Sequence, residues 1–129
     1  MKIWLLMLII LFQLGCAAKN RVVIYTPEVD LNLDRSQVHL HTYGFMRLKA
    51  TRYAESIRYK GFRVKLRDNA YPGNVKDNFI IYNLPKERRH ELDLIQAALS
   101  ELGIEVELIF EGRHGKHEYT EGNIGVYLF

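Results

Sequence analysis

Twice along this chain of 129 residues the spacing of apolar side chains changes at a glycine, and that change limits the folds open to it. Before Gly61, the residues Met46, Ala50, Tyr53, Ala54 and Ile57 recur with the period of one helix face, about 3.6 residues. After it, Phe62, Val64 and Leu66 alternate with Arg63, Lys65 and Arg67, as in a strand with one buried face. Before Gly103, Leu92, Ile95, Leu99 and Leu102 share a second helix face that begins near Pro85. After it, Ile104, Val106, Leu108 and Phe110 alternate with Glu105, Glu107, Ile109 and Glu111. Glycine takes the left-handed backbone that closes a helix without a side-chain clash, so each glycine reads as a helix stop feeding a strand.

Other strands surround these two units. Residues 21–25 are rich in β-branched side chains and end at Thr26-Pro27. Residues 37–41 alternate, with Val38 and Leu40 on one face and His39 and His41 on the other. Residues 78–82 form a compact apolar run after the turn Tyr71-Pro72-Gly73-Asn74, suited to the middle of a sheet. The chain closes on residues 123–129, an apolar strand without a polar tail. Aligning Gly61 with Gly103 places Asn78-Phe79-Ile80-Ile81-Tyr82 over Asn123-Ile124-Gly125-Val126-Tyr127, so a helix, glycine, strand, loop, strand unit occurs twice. The expected class is α+β: one domain, a mixed sheet with two helices on one face, and an internal pseudo-repeat.

The N-terminus speaks to compartment. Lys2, the apolar run 3–12 and Gln13-Leu14-Gly15-Cys16 have the parts of a secretory signal. The run is shorter than the roughly 20 apolar residues a spanning helix needs. The segment resembles the bacterial lipobox, departing from it at Gln13, where an apolar residue is usual. That resemblance implies cleavage before Cys16, acylation of its thiol and amine with palmitate-type chains, a signal peptide over 1–15 and a short tether over 16–20. Ala17 is not acidic, which in such lipoproteins implies the inner leaflet of the outer membrane, facing the periplasm. Cys16 is the only cysteine, so no disulfide is open to the mature chain and folding must rest on a hydrophobic core.

In element order, residues 21–129 resemble the LytR C-terminal domain family. The segments that carry the resemblance are Val22-Val23-Ile24-Tyr25, Lys60-Gly61-Phe62-Arg63-Val64, the strand 78–82 and Ile124-Gly125-Val126-Tyr127-Leu128. The Asn-Gly-rich turn usual after that family's first strand is replaced by an insertion over 26–45. The sporulation-related repeat (SPOR) domain, a peptidoglycan-binding module, is similar in its two-fold strand and helix order. Topology does not carry function with it.

Catalysis is not expected. Serine occurs only at positions 36, 56 and 100, none in a nucleophile elbow, and the one cysteine is committed to lipid. No cofactor is implied. His39, His41, His114 and His117 are the residual metal candidates, outweighed by solvent-facing histidines in a strand and a loop.

Charge is distributed unevenly. Eight basic residues fall between Arg47 and Arg67 against Glu55 alone, and five glutamates between Glu105 and Glu121 against Arg113 and Lys116. Arg63, Lys65 and Arg67 must project from one side of their strand, and Glu105, Glu107 and Glu111 from the related one. At opposite edges such rows would meet partners, and side by side they would pair internally. Tyr59, Tyr71, Tyr119 and Tyr127 fall off the apolar stripes as candidate recognition aromatics. The expectation is a lipid-anchored periplasmic binding or scaffold protein, an accessory subunit of a secretion, pilus or flagellar assembly acting through protein contacts. The alternative is a peptidoglycan or other glycan-binding module. Nucleic acid is not expected in that compartment.

Overall fold

The structure is a computed structural model that describes residues 35–68 and 76–129. Cys16, the strand expected over 21–25 and the turn over 71–74 lie outside them. Five strands form one mixed sheet in the order β2-β1-β7-β3-β4. They are β1 (Gln37–Thr42), β2 (Arg63–Arg67), β3 (Phe79–Asn83), β4 (Leu108–Glu111) and β7 (Asn123–Leu128). Helix α1 (Ala50–Tyr59), entered through a 3₁₀ turn at Gly44–Lys49, joins β1 to β2, which lie parallel and adjacent. Helix α2 (His90–Ser100), entered through a 3₁₀ turn at Lys86–Arg88, falls between β3 and β4, also parallel and adjacent. The helix, glycine, strand order read from the sequence therefore closes in space as two parallel strand-helix-strand crossovers.

The C-terminal strand joins the halves. β7 is parallel to β1 and antiparallel to β3, so the last residues of the chain occupy the centre of the sheet. Gly61 and Gly103 end their helices with positive φ of 95° and 78°, where a Cβ would be strained.

Both helices pack on one sheet face. Val38, Leu40, Val64, Ile80, Ile124, Val126 and Leu128 come from the strands, and Ala54, Ile57, Ile95 and Leu99 from the helices. A second, aromatic core of Phe79, Ile81 and Tyr127, with Phe110, Tyr119, Tyr43 and Phe129 against it, lies on the other face. There the small hairpin of β5 (Arg113–His114) and β6 (His117–Glu118) covers part of the sheet.

One segment departs from the expected alternation. Residues 104–107 precede β4 rather than forming it. Ile104 and Val106 are buried in the helix-side core, whereas Leu108 and Phe110 pair with Phe79 and Ile81 on the aromatic side. The reason lies in the backbone acceptors: Gln96 Nε2 on α2 donates to the Val106 carbonyl at 2.7 Å and Asn78 Nδ2 to that of Glu105 at 3.4 Å. Side chains therefore satisfy carbonyls that a strand ladder would have used, and the chain changes phase before it enters the sheet.

Candidate functional site

The histidines read from the sequence fall on the aromatic face, opposite helices α1 and α2, and the fold brings three of the four together. His39 and His41 share a face of β1, and His117 reaches them from the hairpin, its ring 5.3 Å from that of His41. His114 stands apart, stacked 4.1 Å over Phe110 and edge-on to Phe79 at 5.0 Å. Arg67 of β2, Lys116, Glu118, Tyr119, Thr120 and Asn123 complete a cavity of about 470 Å³ with His39, His41 and His117.

The loop that roofs the cavity is fastened to the end of β3. Gly112 N donates to the Tyr82 carbonyl at 2.7 Å, and Gly122 N to that of Asn83 at 2.8 Å. Asn83 Nδ2 donates to the Tyr119 carbonyl at 2.7 Å. Gly125, in the middle of β7, makes the space that the Tyr119 ring fills, because a Cβ there would overlap the ring.

Hydrogen bonds fix the protonation pattern. His41 Nδ1 is buried and has no hydrogen-bond partner among the described residues, while its Nε2 lies 3.1 Å from the Tyr119 hydroxyl. A buried N–H without an acceptor is costly, which places the proton on Nε2. His41 then donates to Tyr119, Tyr119 donates to Tyr127 at 2.7 Å, and Tyr127 donates to His117 Nδ1. The proton of neutral His117 is thereby left on Nε2. His39 accepts at Nδ1 from Arg67 Nε at 3.0 Å, and through Nε2 it donates to Asn123 Oδ1 at 2.9 Å.

Burial keeps this cluster neutral. His41 is pushed down to about 3, chiefly by desolvation and then by the neighbouring His117, His39 and Arg67. Desolvation also lowers His39, against the opposing effect of its bond to Asn123, and lowers His117. Burial raises both tyrosine hydroxyls, Tyr119 and Tyr127, above the ordinary phenol value. Among the described residues no group of three or more His, Cys, Asp or Glu is placed to hold a metal ion.

The charged rows resolve differently. β2 and β4 occupy opposite edges of the sheet, which decides between the two arrangements the sequence left open. Arg63, Lys65 and Arg67 are exposed on β2, and Arg67 belongs to the cavity. The acidic row is not regular: Glu105 and Glu107 are exposed but precede β4, and Glu111 alone lies in it, 3.4 Å from Arg89.

The aromatics also divide. Tyr59 is exposed as expected and Tyr119 is half-buried, but Tyr127 is fully buried, stacked between His41 at 4.3 Å and Phe79 at 4.4 Å. Off the helix-side stripe it meets a second core instead of solvent. Asn123 and Thr120 were not anticipated as site residues. Gly125 inside an apolar strand was the available signal that something approaches the sheet closely there.

No family model, curated protein or solved structure matches this chain.

Proposed function

We propose that the chain is a lipid-anchored scaffold of the bacterial envelope, held by acyl chains on Cys16 at the outer membrane and facing the periplasm. It serves as an accessory subunit of a larger assembly and acts through protein contacts. The observation that carries this reading is that, among the described residues, the sheet ends in two unpaired edges, basic at β2 and acidic around β4. Edge strands carry unpaired backbone groups that accept a partner's strand, and charge selects the partner. Phe45 and Leu48, 91% and 85% exposed on the turn that leads into α1, and half-exposed Leu66 on β2 add apolar contact area on the basic side. The proposal includes no catalytic step and no cofactor.

The test is purification of the full-length protein from its native membranes in mild detergent, with mass spectrometry of what accompanies it. A stoichiometric set of envelope proteins is expected. It should be reduced by Cys16→Ser, which removes the anchor, and by Arg63→Glu with Lys65→Glu, which reverses the β2 edge. Recovery of the protein alone would sink the reading.

A second reading, binding of an envelope glycan, is favoured by the cavity on the aromatic sheet face, where Tyr119 stands among polar groups. It predicts retention of the protein by purified peptidoglycan sacculi.

A further inference from the structure

We infer that the cavity between β1, β2 and the hairpin is an oxyanion site that takes a carboxylate or phosphate group through Arg67, Lys116 and His117. The inference deepens the glycan reading by naming the chemical group recognised, and it rests on that reading only for the source of the anion.

Arg67 is the centre of the argument. Its Nε is spent on His39 Nδ1, and His39 is itself held by Asn123, so the guanidinium is oriented before any ligand arrives. Its two terminal nitrogens make no hydrogen bond or ion pair among the described residues. Arg47, Arg88 and Arg89 each have a carboxylate within 3.4 Å, whereas Arg67, like Arg52, Arg58 and Arg63, has none among the described residues; what sets Arg67 apart is its place in the cavity. A guanidinium fork with both outer groups free matches the two oxygens of a carboxylate or phosphate.

Two further donors line the same space. Lys116, at the hairpin tip, has no ion pair among the described residues. The tyrosine chain occupies Nδ1 of His117 and leaves its Nε2 proton as a donor. Among the described residues Glu118 is the one carboxylate lining the cavity, and it has a cation of its own in Arg113 at 4.0 Å. His41 brings no positive charge, and its buried Nδ1, left without a proton, is an acceptor that gives an anion nothing to bind. A volume of about 470 Å³ exceeds what a bare ion needs and falls in the range of small-molecule sites, leaving room for the ring that carries the anionic group.

The test is calorimetric titration of the full-length protein in detergent micelles with galacturonate, neutral galactose and inorganic phosphate. Galacturonate is expected to bind at least about tenfold tighter than galactose. Arg67→Gln should weaken it by about tenfold or more, while Arg63→Gln, on the same strand but outside the cavity, should leave it unchanged. Both substitutions are at exposed positions, and matching thermal melts would confirm intact folds. Equal binding of galactose and galacturonate, indifference to Arg67→Gln, or no binding of either anion up to about 20 mM would overturn the site. Phosphate binding that depends on Arg67, without galacturonate binding, would keep the oxyanion site and remove this pocket from the glycan reading. Retention on sacculi tests that reading separately.

Discussion

Gly125 and Glu91 show how much single residues carry here. Gly125 faces the Tyr119 ring from the central strand, and any side chain there must displace the ring, the hydroxyl of which links His41 to Tyr127. Overpacking of this kind costs about 1–3 kcal/mol, so Gly125→Val is expected to lower the melting temperature by roughly 4–8 °C per kcal/mol lost. A melt indistinguishable from the parent would show that the ring does not need this space. Glu91 is a buried carboxylate in the first turn of α2. It accepts from the Ser36 hydroxyl and, at 3.3 Å, from the Ser36 backbone N–H, and it pairs with Arg88 at 3.1 Å. It ties the start of β1 to the N-terminus of a helix, where the dipole favours negative charge. Glu91→Ala removes the acceptor for several buried donors and should cost about 3 kcal/mol, read from urea midpoints. A loss below about 0.5 kcal/mol would mean that the network is replaced by water.

At the scale of elements, the final strand bears the most. β7 is hydrogen-bonded on both sides, to β1 and β3, and supplies Ile124, Val126 and Leu128 to one core and Tyr127 to the other. Deleting residues 123–129 would therefore separate the two crossovers and strip both cores of their central strand, and loss of cooperative unfolding by circular dichroism is expected. A truncated chain that still melts in one transition would refute this. The elements were legible because their signals are local: helical spacing into Gly61 and Gly103, alternation in β1 and β2, and an apolar run in β3. Two things were not local. The phase change before β4 is hidden because Ile104, Val106, Leu108 and Phe110 are all apolar, so alternation looks unbroken while Gln96 on α2 holds the Val106 carbonyl. The burial of Tyr127 depends on a hairpin that folds back over the sheet, and spacing within one strand does not report cover from another segment. The histidines show both sides of this: the shared face of His39 and His41 was readable, whereas the reach of His117 to them depends on how the loop is fastened to Asn83.

At the scale of the whole molecule, the two sheet faces differ in their response to acid. The helix-side core is apolar, but the other face is built around neutral histidines held below their ordinary pKa. Between the folded and unfolded pKa values such a histidine is neutral in the folded chain and protonated in the unfolded one. The unfolded state then binds the extra proton, and stability falls as pH falls. For His41 that window runs from 6.5 down to about 3. Between pH 6.5 and about pH 5 this residue alone should remove about 2 kcal/mol, with His39 and His117 acting in the same direction. The urea midpoint should therefore drop steadily from about pH 7.5 to pH 5. His41→Gln, which removes the ionisable ring, should flatten that slope even though it lowers stability at neutral pH. A midpoint constant across this range, or a slope unchanged in His41→Gln, would show that the cavity admits enough water to hydrate a charged imidazole. An oxyanion held by Arg67 and Lys116 would oppose the acid sensitivity by favouring protonated neighbours, so adding one that binds should shallow the parent's slope and leave that of Arg67→Gln as it was.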